Sequence, residues 1–81
     1  MEVIMSQTEN EIIEILSEMK PGIDFQTQVK LIDDKILTSF DIITLIAELD
    51  DSFGISIGPR ELLPENFNSV TAISKLVESL Q

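Results

Sequence analysis

Ser39 stands at the head of the run Ser39-Phe40-Asp41-Ile42-Ile43-Thr44-Leu45-Ile46-Ala47-Glu48-Leu49-Asp50-Asp51, where a loop passes into an apolar helix flanked by acids. A hydroxyl in that position has two uses. It can accept a hydrogen bond from an early backbone N–H, the common role of serine as a helix N-cap, or it can be offered to another enzyme as the acceptor of a covalent group. Chemistry of the chain's own has little to draw on. The 81 residues include no histidine and no cysteine, so the commonest general base, the strongest nucleophile at neutral pH and most zinc ligands are missing. The other ionisable groups are five Lys and Arg against fifteen Asp and Glu. Among these acids Asp33, Asp34, Asp41, Glu48, Asp50 and Asp51 gather on and around the same helix. They form either a solvated face or a surface that steers basic patches of other proteins toward it. Asp50 and Glu61 match the ends of an EF-hand loop, but Ile55 occupies the position where the sharp turn needs glycine, which argues against a calcium site. No metal site is expected.

The elements that hold these residues read as helices. Ser6 with Glu9, and Thr8 with Glu11, each fit the capping box that opens a helix. Ile12, Ile13, Ile15, Leu16 and Met19 follow as an apolar stripe, with Glu11, Glu14 and Glu18 toward water and Pro21-Gly22 as a stop. Residues 23–37 keep no helical period and read as a long loop pinned to the core by Phe25, Val29, Leu31, Ile32 and Ile36. The second helix, from about Phe40 to Phe53, has a core stripe of Ile42, Leu45, Ile46, Leu49 and Phe53. Phe40, Ile43 and Ala47 make a separate strip beside Asp41 and Thr44, either covered by the long loop or open to a partner. Pro59 is expected to open a short helix that Pro64 closes, and Asn68 to cap the last helix, with Phe67 stapled onto Ala72. Val70, Ile73, Leu76, Val77 and Leu80 form that helix's apolar face, and Ile55-Ser56-Ile57 reads as an extended connector. The expected fold is all-α, an up-and-down bundle of three main helices plus one short helix. Its core is expected from Ile12, Leu16, Ile42, Leu45, Ile46, Leu49, Phe53, Ile73 and Leu76.

A chain of 81 residues is one small domain, residues 1–81, with little room for a catalytic cleft. Its formal net charge of −10 repels phosphate backbones and excludes nucleic acid as a natural partner. A hydrophobic fraction of 43% is too high for an acidic disordered tail. The absence of cysteine gives no sign of an oxidising compartment. The start, Met1-Glu2-Val3-Ile4-Met5-Ser6-Gln7, carries no basic leader, and no stretch approaches the ~20 apolar residues of a membrane span. A cytoplasmic monomer is expected.

Ile36-Leu37-Thr38-Ser39-Phe40-Asp41 resembles the phosphopantetheine-attachment motif of acyl carrier proteins, usually written Asp-Ser-Leu, and Phe53-Gly54-Ile55-Ser56-Ile57 falls where that family has a similar Phe-x-Ile segment. The resemblance extends from the first helix to Leu80, its specific part lying around Ser39. It implies a bundle of the acyl-carrier kind and a protein that is not an enzyme. It also implies a 4'-phosphopantetheine arm on Ser39, installed by a phosphopantetheinyl transferase that supplies Mg²⁺ and the general base. The arm's thiol would then shuttle acyl or aminoacyl groups as thioesters, and its phosphodiester would sit at a helix N-terminus, favoured by free N–H groups without a basic side chain nearby. Phe40, Asp41, Ile43, Thr44, Ala47, Glu48 and Asp51 would face basic docking patches on acyl-transferring or adenylating enzymes. Thr38 stands in place of the usual Asp, Phe40 in place of the common Leu, and Thr44 where the family often has an acid. Threonine can still cap the helix and leave Ser39 free. These variants look like the D-alanyl carrier branch as well as the stand-alone carriers of fatty acid biosynthesis. The alternative is a noncovalent acidic adaptor that binds a basic partner helix through Ile43 and Ala47.

Overall fold

The computed structural model describes residues 5–81, and the first four residues, included above in the segment without a leader, lie outside that range. Helix α1 spans Gln7–Met19 and begins at the first of the two expected capping boxes. Ser6 Oγ accepts from Glu9 N at 3.1 Å, and Glu9 Oε1 accepts from Ser6 N at 3.1 Å. Helix α2 spans Ser39–Phe53 and ends on Gly54, whose left-handed φ of 64° suits a residue without Cβ. A 3-10 turn follows at Pro59–Glu61, then the single turn of α3 at Pro64–Phe67 and helix α4 at Val70–Leu80. No strand occurs among the described residues, so the fold is all-α with three main helices, as expected. Helix α1 packs against both α2 and α4, and α3 against α4. No helix among the described residues is long and apolar enough to cross a membrane.

The core is centred on residues that the helical spacing predicts, Ile12 and Leu16 from α1, Leu45 and Leu49 from α2, and Ile73 and Leu76 from α4. Each such aliphatic side chain contributes roughly 1.5–3 kcal/mol by leaving water. Val70 and Val77 join them from α4, Phe67 from α3, Ile57 from the connector, and Phe25, Leu31 and Leu37 from the long loop. The loop is therefore tied down, although Val29 is 68% exposed, because Phe25 and Leu31 on either side already fix the chain. Ile42, Ile46 and Phe53 are only partly buried. For Ile42 and Ile46 the reason is the cover over that side of α2, a loop and one turn of helix that leave an apolar hollow.

Two expectations after Gly58 are corrected. Pro64 opens a helical turn instead of closing one, since proline's missing N–H is tolerated at a first helical position. Asn68 does not cap α4; Ser69 does, with Oγ accepting from Ala72 N at 3.1 Å, and this shifts the register away from a Phe67–Ala72 staple. Asn68 instead pins the long loop. Its Oδ1 accepts from Ile32 N at 3.0 Å and Asp33 N at 3.2 Å, and its backbone carbonyl accepts from Leu31 N at 2.9 Å. An amide side chain meets that task because it offers acceptor and donor together, and Nδ2 donates to Asp33 Oδ2 at 3.3 Å.

Candidate functional site

Helix α2 is capped one residue before Ser39. Thr38 has extended backbone angles, φ −88° and ψ 172°, and its Oγ1 accepts from Asp41 N at 3.2 Å.

 Ser6, the cap of α1, has φ −68° and ψ 165°, so the two helices start with nearly the same backbone geometry. Asp41 completes the box, Oδ2 accepting from Thr38 N at 2.9 Å and from Thr38 Oγ1 at 3.0 Å. Lys20 Nζ, at the end of α1, lies 3.2 Å from the same oxygen. These donors hold the Asp41 carboxyl below its usual value, the Thr38 N–H contributing most, with burial opposing and the Lys20 side chain and charge and the Thr38 hydroxyl adding to it.

Ser39 is thereby left as the first helical residue, exposed, with no hydrogen-bond partner for its hydroxyl among the described residues. Two hollows of about 310 Å³ each meet at it. The first is apolar, lined by Ile42, Ile43 and Ile46 of α2, by Ile32 of the loop, and by Leu62, Leu63, Pro64 and Phe67. The second is lined by Ile32, Lys35, Leu37, Thr38, Ser39 and Ile42. Lys35 is part of this wall too. Its left-handed φ of 59° turns the loop just before α2 and brings it into the same wall as Ser39.

Along α2, Phe40 is 78% and Ile43 69% exposed, and Thr44, Ala47, Glu48 and Asp51 are exposed with them. Their spacing puts them along one broad side of the helix. Thr44 Oγ1 donates back to Phe40 O at 3.3 Å. Asp41 differs from this group, being mostly withdrawn into the cap. Asp50 is also used internally, its Oδ1 accepting from Ile57 N at 3.0 Å, and Glu61 Oε2 accepts from Gly58 N at 3.0 Å. No group of three or more potential metal ligands comes together among the described residues.

Leu62 and Leu63, each 47% exposed, were not singled out by spacing, yet they form the wall opposite α2. Their signal is a pair of large apolar residues between Pro59 and Pro64, in a segment too short to bury both. Lys20 gives no such signal, since its partner lies beyond the whole loop.

A small all-helical protein that presents an uncommitted serine at a helix start, beside an apolar hollow and an acidic helix, has the form of a carrier. The aminoacyl carrier protein 1 of Bradyrhizobium diazoefficiens is 32% identical to this chain over 81 aligned positions, covering 95% of the chain and 89% of that protein. No protein-family model matches, and no solved structure gives a significant match. The chain belongs to the acyl carrier protein family, and as a carrier it is not an enzyme.

Proposed function

We propose that this protein carries a 4'-phosphopantetheine arm on Ser39 and shuttles thioester-bound acyl or aminoacyl groups between enzymes. The observation that carries this reading is the uncommitted, exposed Ser39 hydroxyl at the start of α2, left free because Thr38 performs the capping. The residues present suit the group. First-turn N–H groups and the positive end of the helix favour a phosphodiester there, Lys35 stands in the adjoining wall, and the apolar hollow runs away from Ser39 toward Leu62 and Phe67. Bound at Ser39, the arm supplies a thiol that holds the carried group as a thioester. A phosphopantetheinyl transferase supplies Mg²⁺ and the general base; this chain supplies the hydroxyl and its presentation. The name of the Bradyrhizobium relative supports an aminoacyl cargo among these possibilities.

Phe40, Ile43, Thr44, Ala47, Glu48 and Asp51 form the docking side in this reading, with Asp41 at its edge through the carboxylate oxygen that the cap does not use. Basic patches on the transferase and on acyl-transferring or adenylating enzymes meet these acids through individually weak contacts that allow fast arrival and release. The protein acts as a monomer. The exposure of Phe40 and Ile43 also suits a noncovalent adaptor, which would use the same side without an arm. Incubation with coenzyme A, Mg²⁺ and a panel of transferases separates the two. A carrier gains the mass of one phosphopantetheine, mapped to the peptide containing Ser39, and Ser39→Ala does not; an adaptor gains none with any transferase.

A further inference from the structure

Two hydroxyls, Thr38 and Ser39, adjoin each other where α2 needs one cap. If Ser39 took the cap, its oxygen would accept from the N–H three residues on, that of Ile42, and the helix would begin one residue later. The hydroxyl would then be engaged and its backbone extended. In the structure the choice falls on Thr38, and the residues that stabilise it are visible. Asp41 Oδ2 gathers three donors, Thr38 N at 2.9 Å, Thr38 Oγ1 at 3.0 Å and Lys20 Nζ at 3.2 Å. The Ile42 N–H that a Ser39 cap would need is already spent on Thr38 O at 3.0 Å. Threonine is also no better a cap than serine in general, so the preference comes from the surroundings. On α1 no hydroxyl adjoins the cap, because Gln7 follows Ser6 and the other box offered there, at Thr8, lies two residues on.

We propose that Asp41 and Lys20 are positioning residues for the modification of Ser39: by fixing Thr38 as the cap of α2 they keep the neighbouring Ser39 hydroxyl free for the transferase. Lys20 acts through Asp41, and Asp41 acts through Thr38; none of the three exchanges protons with the incoming group. The inference rests on the reading of Ser39 as the modified residue, and it adds a role for Asp41 that docking does not require. It also accounts for how a chain with Thr38 before the serine still presents that serine outward.

The test compares Asp41→Asn, Lys20→Met and Thr38→Ala with Ser6→Ala, which breaks the other capping box far from Ser39. Two quantities are read for each, kcat/KM for phosphopantetheine transfer and the ¹³C chemical shifts of Ser39, which distinguish a helical from an extended backbone. The expected result is a roughly threefold to tenfold fall in kcat/KM for Asp41→Asn and Thr38→Ala, the factor by which a cap of ordinary strength biases an equilibrium. A smaller fall is expected for Lys20→Met. Ser39 shifts should move toward extended values in the same order, and Ser6→Ala should change neither quantity. Thr38→Asp, which restores a strong cap, should recover both. Wild-type loading and helical Ser39 shifts in Asp41→Asn and Thr38→Ala would overturn the inference, as would a fall in loading without any shift at Ser39 or an equal fall in Ser6→Ala. Failure of the wild-type chain to gain mass with any transferase would instead overturn the carrier reading, while the ¹³C shifts would still decide which hydroxyl caps α2.

Discussion

Helices α1 and α2 start alike and serve different ends. Each opens on a capping box, and each sinks two fully buried aliphatic residues into the core, Ile12 and Leu16 from α1, Leu45 and Leu49 from α2. Each box is also tied to another element. Glu9 Oε2 of the first accepts from Thr71 Oγ1 on α4 at 3.1 Å, and Asp41 of the second pairs with Lys20. They differ in what lies outside the core. Among the described residues α1 exposes no large apolar side chain, whereas α2 exposes Phe40 and Ile43 and places a free serine immediately after its cap. The lesson is that the same local grammar stabilises both helices, and function enters only through what α2 leaves uncovered.

The largest expected effect breaks the symmetry outright. Ser39→Ala should abolish phosphopantetheine transfer, read by intact-protein mass spectrometry, while changing unfolding free energy by no more than about 0.5 kcal/mol, as expected for a surface position that makes no hydrogen bond. A destabilisation near that of a lost cap would mean that Ser39 shares the capping after all. Next come the buried leucines, where the helices should behave alike. Leu16→Ala and Leu45→Ala should each cost about 2–5 kcal/mol in denaturant unfolding, since neither cavity can fully collapse in so small a core. A nearly neutral Leu45→Ala would place α2 outside the core.

The caps should differ in cost. Ser6→Ala is expected to lower stability by ~1 kcal/mol and Thr38→Ala by less, because Ser39 can then take over part of the capping, measured by the same unfolding curves. The outward strip sharpens the contrast at smaller energies. Ile43→Ser should alter stability by less than about 0.5 kcal/mol because its side chain is already in water, yet slow the reaction with a transferase; a large loss of stability would show that the strip is covered. Smallest is the acid response. Glu9 and Asp41 both have carboxyl groups held below their ordinary values of 4.5 and 3.8, Glu9 chiefly by the Ser6 N–H and Asp41 chiefly by the Thr38 N–H. A lowered folded pKa gives stability that is complete above the ordinary value and lost as pH falls through the folded one. Melting temperature should therefore decline below about pH 4.5 for the α1 box and about pH 3.8 for the α2 box, and Glu9→Gln or Asp41→Asn should flatten its own part of that decline.

Adjacent residues determine much of this protein by themselves. The Ser6–Glu9 box, the apolar stripes of α1 and α4, the two-sided character of α2 and the exposure of Ser39 all follow from interactions between residues three or four apart, which a chain encodes locally. The motif around Ser39 was legible for the same reason. Only the tertiary structure decided that Ile42 and Ile46 line a hollow instead of the core centre, since that depends on how little the segment from Leu62 to Phe67 can cover. It likewise decided that Asn68 holds the long loop and leaves the capping of α4 to Ser69, that Lys35 shares a wall with Ser39, and that Lys20 reaches Asp41. Each of these pairs elements separated by a loop or by most of the chain, so its partner is set by packing in space and leaves no periodic trace in the order of residues.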